Sequence, residues 1–333
     1  MSAYLLLARQ LYLPILSAVF VGASVSFALK TLGRLGRIPG NWSLLLPRWL
    51  GKFLFLVGVP ISVVNFIRKA DLSGGIWLAP ITAWTAILLG FLFATLWTQL
   101  HRDQWAIATQ SSFTELCLVG NTSFLGFPVA LLLPQLGPNY FAWALLYDIL
   151  GTFFGAYGLG IIIAARSRFG QPQVNTVAIS APSFSKLARE VLTNPCLIAF
   201  LIGLVLRSVT FPDWLANGLN IFAWSVIMMA LGLIGIRLQQ LESWRNIWTS
   251  LGAVTIKMLL VPMIIGMGLT AMGISGPARL VLILQAGMPC AFATLVIAEA
   301  YDLDRHLVVT TLGLSSLALI FMLPFWVWGF ATW

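Results

Sequence analysis

Residues 120–137 form an apolar stretch long enough to enter a membrane, yet Gly126 and Pro128 interrupt it midway. Proline has no N–H, so Pro128 leaves the carbonyl of Phe124 without its helical partner, and its ring clashes there. It also drives Phe127 out of the α region. The expected result is two half-helices, the second starting at Pro128, where a missing N–H costs nothing. In hydrocarbon, broken backbone survives only where protein buries it or a watered cavity receives it. Transporters use such breaks to hold a substrate. The device occurs twice. Gly287-Met288-Pro289-Cys290-Ala291 repeats the pattern of Gly126-Phe127-Pro128-Val129-Ala130 at the centre of a second apolar stretch, 277–300.

A chain that is 59% hydrophobic and 9% charged, with mean hydropathy +0.94, is an integral membrane protein, since soluble domains carry roughly 25% charged residues. Apolar runs of about 20 residues select helices over a barrel. The net charge of +9 does not point to nucleic acid, because the basic residues fall between the hydrophobic spans. Cys117, Cys196 and Cys290 lie in apolar segments at no metal-ligand spacing and read as small core residues. No metal or cofactor is expected. The start, Met1–Gln10, lacks a small-residue cleavage site, so the first span is expected to be retained.

Ten spans are expected in an all-α fold, at about 11–33, 49–67, 76–99, 112–134, 140–165, 195–211, 214–236, 247–271, 277–300 and 306–330. The polar stretch 166–186 reads as a linker, with a short interfacial helix over 183–192. Asn194-Pro195 supplies an N-cap and an N1 proline for the sixth span. The organisation is then a first repeat over 1–165, a cytoplasmic linker over 166–193 and a second repeat over 194–333. Five spans per half is odd, so the repeats are inverted, each carrying its broken helix, span 4 or span 9, as its fourth element. Thirteen of the 19 lysines and arginines fall on one side, five on the other, and Lys257 lies within a span. That bias puts both termini outside. Trp77, Trp97, Trp326 and Trp333 near span ends read as interfacial anchors.

Four places carry a resemblance: Gly120-Asn121-Thr122-Ser123-Phe124-Leu125-Gly126-Phe127-Pro128; Asn194-Pro195 with Ile198–Gly203; Gly287-Met288-Pro289; and Ala298–Asp304 leading to Leu323-Pro324-Phe325-Trp326. The chain resembles the auxin efflux carrier family, which includes plant PIN proteins and bacterial permeases for malate and malonate. The resemblance implies a scaffold domain of spans 1, 2, 6 and 7 and a transport domain of spans 3–5 and 8–10. It also implies that spans 4 and 9 cross at their prolines, that the substrate is an organic carboxylate, auxin-like or a dicarboxylate, and that the carrier is a homodimer. Elevator-type transport across the plasma (inner) membrane is expected. The central loop is far too short for the large regulatory segment of long-loop plant members.

Within this plan Asn121 lies about two turns before Pro128 and faces the break, and it matches the family's substrate-facing asparagine. A helix–helix hydrogen bond is the plainer alternative. Gln285, whose carbonyl Pro289 frees, is its nearest counterpart in the second half. Thr122, Gly126, Gly287 and Pro289 complete the expected substrate site with Pro128, although for Thr122 and Ser123 a bond to their own helix is the plainer reading. Lys257 is the one cation deep in a span and needs a partner or a watery cavity. Asp148 is the expected partner, at a depth differing by roughly 9 Å. Glu115 and Glu299 read as solvated residues near span ends, with gating or coupling as the alternative. The only histidines, His101 and His306, lie at loop edges, and no catalytic motif is present, so an enzyme is not expected. A channel, or a sodium- or proton-coupled symporter of the bile-acid symporter type, remains the rival to a potential-driven efflux carrier.

Overall fold

In the computed structural model, residues 8–37, 39, 41–72, 74–168, 189, 192–239 and 246–330 are described. Their regular elements are helices, and the one strand-like feature among them is an isolated antiparallel bridge between Gly120 and Cys290. Among the described residues, seven helices are long and apolar enough to cross a membrane. They are α1 (Leu13–Arg34), α2 (Trp42–Ile67), α3 (Leu78–Leu100), α6 (Gly137–Ala165), α8 (Asp213–Gln239), α9 (Ile247–Ala271) and α12 (Arg305–Phe330). Shorter helices fill the rest: α4 (Ile107–Leu118), α5 (Thr122–Leu132), α7 (Pro195–Ser208), α10 (Gly276–Ala286) and α11 (Ala293–Tyr301). The linker 166–186, the interfacial helix over 183–192 and Trp333 fall wholly or mostly outside the described residues.

Helix starts follow local chemistry. Asn194 Oδ1 accepts from the N–H groups of Cys196 (2.8 Å) and Leu197 (3.4 Å), with Pro195 at the first helical position. That satisfies orphan donors which hydrocarbon cannot. Asp213 opens α8 and Arg237 closes it, each matching the sign of the helix end it occupies.

The prolines behave differently from the sequence expectation. A five-residue π-helical turn ends two residues before each of Pro14, Pro60, Pro128 and Pro262: Ala8–Tyr12, Leu54–Gly58, Thr122–Gly126 and Ile256–Leu260. Widening the turn re-spaces the carbonyls that a proline ring would strike or leave unpaired, so the helix bends and continues. Pro128 therefore does not break its helix. Phe127 is helical, and α5 runs through it from Thr122 to Leu132.

The chain divides into two compact units. The first comprises Met1–Leu72, Phe127–Ala142 and Val191–Glu242, and the second Ser73–Gly126, Trp143–Glu190 and Ser243–Trp333. Both units draw on both halves of the sequence. In the first, α1 and α8 approach closely at glycines: a Cβ on Gly22 would strike the carbonyl of Gly232, and one on Gly235 that of Val19. Arg68 ties α2 to the end of α7 by donating to the carbonyls of Leu206 (2.9 Å) and Val209 (2.6 Å). In the second, Gly90 and Gly151 serve the same close packing, of α3 on the end of α4 and of α6 on α3. Trp77 is exposed on the surface. Trp326 is not an interfacial anchor: it is 1% exposed, and its indole N–H donates to the Met258 carbonyl at 3.2 Å. The wide turn Ile256–Leu260 ahead of Pro262 contains that carbonyl.

Candidate functional site

The second unit contains a crossing of two interrupted helices. After α4, Val119 turns extended (φ −124°, ψ 140°) and Gly120 pairs with Cys290. The Asn121 N–H donates to the Pro289 carbonyl (2.6 Å), and the Ala291 N–H to the Val119 carbonyl (3.2 Å). Each break supplies the partners that the other would lack, which is how irregular backbone remains tolerable at membrane depth. In the second segment the break lies at Pro289, as expected. In the first it lies at Val119–Asn121, seven residues before Pro128, because the π-turn absorbs the proline while Gly120 permits backbone to meet backbone. A Cβ there would lie 2.9 Å from the Met288 carbonyl and 3.3 Å from Lys257 Cε.

Asn121 caps α5. Its Oδ1 accepts the Phe124 N–H (3.2 Å), and its carbonyl accepts those of Leu125 (3.2 Å) and Gly126 (3.1 Å). Its Nδ2 is buried with no hydrogen-bond partner among the described residues. Gln285, one residue before the end of α10, is 1% exposed, and its Oε1 is likewise unpartnered. A Cβ on Gly126 would run into the Gln285 carboxamide, so that glycine leaves the space the amide occupies. Gly287 does the same for Trp326, whose Nε1 would lie 3.1 Å from an added Cβ. Asn121, Gly126, Gln285, Gly287 and Pro289 are thus all placed at or beside the crossing. Pro128 belongs to the first unit.

Thr122 and Ser123 bond neither their own helix nor open space. Both hydroxyls donate to Asp148, Thr122 to Oδ1 in a short contact and Ser123 to Oδ2 at 2.7 Å. The carboxylate therefore sits at the N-terminal end of α5, where the helix dipole favours negative charge. Lys257, 2% exposed, donates to the Ala286 carbonyl at 2.9 Å, at the C-terminal end of α10. The expected Asp148–Lys257 pair is not formed, because each group compensates a helix end of opposite sign instead.

Glu115 is not a solvated end residue. It is 1% exposed, and neither carboxyl oxygen has a hydrogen-bond partner among the described residues. Glu299 is solvated, and makes the one ion pair identified among the described residues, to Arg305 at 3.3 Å. Sequence reasoning missed three groups that brace the crossing. Ser315 accepts the Cys290 N–H (3.3 Å), the Cys290 thiol donates to the Leu116 carbonyl (3.2 Å), and Thr294 caps back onto Ala291 (2.7 Å). Only Thr294, a hydroxyl at the start of an apolar helix, carried a local signal.

Two interrupted membrane helices that satisfy each other's backbone, with unpaired polar side chains buried beside them, define a helical membrane transporter. Residues 48–327 match the family described as membrane transport protein, and the chain belongs to this family, that of the auxin efflux carriers. It is 25% identical over 319 residues to an uncharacterized transporter of Methanothermobacter thermautotrophicus, covering 93% of this chain and 95% of that protein. It is 24% identical over 211 residues to an uncharacterized transporter of Methanocaldococcus jannaschii, covering 63% of this chain and 65% of that protein.

Proposed function

We propose that the protein is an efflux carrier for an organic carboxylate anion, bound at the crossing in the second unit. The observation that carries this reading is the pair of buried, unpartnered polar atoms there, Asn121 Nδ2 and Gln285 Oε1. Leaving such atoms unpaired costs about 1–3 kcal/mol each, a cost a ligand removes on binding. An unpaired donor suits a carboxylate oxygen. An unpaired acceptor suits an O–H or N–H elsewhere on the same ligand, or becomes a second donor when the carboxamide turns over. With no arginine fork at the crossing, the anion is held weakly enough to be released.

The finer architecture belongs to the same proposal. Ten spans form two inverted repeats of five, with α4/α5 and α10/α11 as the broken fourth and ninth. The local two-fold of the Gly120–Cys290 pair supports it. The first unit serves as scaffold and the second as an elevator-type transport domain. The carrier sits in the plasma (inner) membrane as a homodimer with both termini outside, in keeping with the basic bias of the loops. A reporter at residue 2 labelled from outside intact cells checks that orientation.

Each anionic charge leaving a cell with a negative interior gains about 2.3 kcal/mol per 100 mV, so efflux proceeds without a coupled ion. The test is tracer flux of mono- and dicarboxylates and indole acids in proteoliposomes under a clamped potential, with sodium and proton gradients removed in turn. Flux is expected to follow voltage, and Asn121→Ala to weaken anion binding about tenfold while leaving the fold intact. Flux that ignores voltage and collapses without sodium refutes the reading and favours a sodium symporter.

A further inference from the structure

Half-helix C-terminal ends and unwound carbonyls at a midplane crossing are where transporters coordinate a coupled cation. In this protein a side chain occupies that place. Lys257 projects from the wide turn of α9 and donates to the Ala286 carbonyl at the end of α10. Its stem passes so close to the crossing backbone that a Cβ on Gly120 would lie 3.3 Å from its Cε. Burial to 2% makes the charge costly without compensation, yet no carboxylate among the described residues pairs with it. Asp148 is engaged by Thr122 and Ser123, and the one hydrogen bond of Lys257 among the described residues is to backbone. A lysine placed for stability alone would be matched by an acid. This one is matched by the negative end of a helix dipole.

We propose that Lys257 is a tethered cation of the crossing: its ammonium fills the position of a coupled metal cation, holds the α10 end in register with Gly120, and makes the carrier independent of sodium. Lys257 is on this account a positioning residue. The inference rests on the crossing being the transport site proposed above, and its test includes a reading that needs no substrate.

The experiment uses full-length wild type, Lys257→Ala and Lys257→Met. Alanine keeps Cβ and removes three carbons and the ammonium, the size of n-propylammonium. Apparent Tm and anion flux are measured in sodium, potassium and choline chloride, with and without n-propylammonium, and with n-propanol as the neutral match. Wild type is expected to be indifferent to the cation in both readings. Lys257→Ala is expected to lose at least tenfold in flux and to lose Tm, both restored by n-propylammonium and not by n-propanol. Lys257→Met, which fills the space without charge, is expected to lose flux with no rescue. A wild-type requirement for sodium, normal flux in Lys257→Met, or equal rescue by n-propanol overturns the proposal. If Lys257→Ala does not fold, Lys257→Met decides by the same flux criterion. If wild type carries no organic anion, the function proposed above fails, and the Tm responses still decide the role of Lys257.

Discussion

Gly120→Ala tests the crossing most directly. No positive φ is involved, so alanine accepts the backbone and the effect is one of space. The new methyl would lie 2.9 Å from the Met288 carbonyl, 3.1 Å from Met288 Cβ and 3.3 Å from Lys257 Cε. The first of these is backbone and cannot swing aside, so the two segments must part. Separation weakens two backbone hydrogen bonds, Asn121 to Pro289 and Ala291 to Val119, each with a net value of about 1 kcal/mol. Overpacking adds about 1–3 kcal/mol, and the stiffer unfolded chain offsets about 0.4–1 kcal/mol. The net destabilisation is about 2–4 kcal/mol, or roughly 3–6 °C in Tm for a chain of 333 residues. The assay is thermal unfolding of purified protein beside proteoliposome flux, with Gly268→Ala as control, since an added Cβ there meets nothing within 4 Å. The control is expected to be neutral or slightly stabilising. Unchanged Tm and flux in Gly120→Ala would refute the close approach of Gly120 to Met288 and, with it, the crossing.

Two further perturbations separate the parts of the site. Pro128→Ala, within a continuous helix, is expected to change flux by no more than about threefold, while Pro289→Ala, which lets α10 run on and withdraws the Pro289 carbonyl from Asn121, lowers it more than about tenfold; equal losses in the two would put the first break back at Pro128. Glu115→Met replaces two buried, unpartnered oxygens by a thioether of similar length and is expected to raise stability by about 1–3 kcal/mol, read as a higher Tm; a lower Tm would show that the carboxyl has partners in the folded protein.

What was legible in the sequence was whatever depends on neighbours along the chain. Long apolar runs gave membrane helices, and Asn194-Pro195 gave a helix start with its cap. Pro289, with a glycine two residues before it, gave a true break. Pro128 has the same local pattern and gave none, because the outcome at a proline depends on the preceding turn. Four wide turns in this chain show the same accommodation. The correct signal lay slightly earlier. Gly120-Asn121-Thr122-Ser123 is a glycine followed by a run of helix-capping residues, and Asn121 caps α5. The stronger motif hid the weaker one.

The charges were illegible for a different reason. A lysine and an aspartate buried in neighbouring spans suggest a pair when side chains alone are considered. Interrupting a membrane helix exposes half-charges of both signs at its ends, and these compete for the same side chains. Asp148 takes the positive end of α5 and Lys257 the negative end of α10. The same geometry corrects the matching of residues across the crossing. With Gly120 paired to Cys290, the residue five places before each is Glu115 in one segment and Gln285 in the other. The counterpart of Gln285 about the local two-fold is therefore Glu115 and not Asn121. Both are 1% exposed with unpartnered oxygens, so the crossing carries a polar group on each of its two arms, ionisable on one arm and neutral on the other.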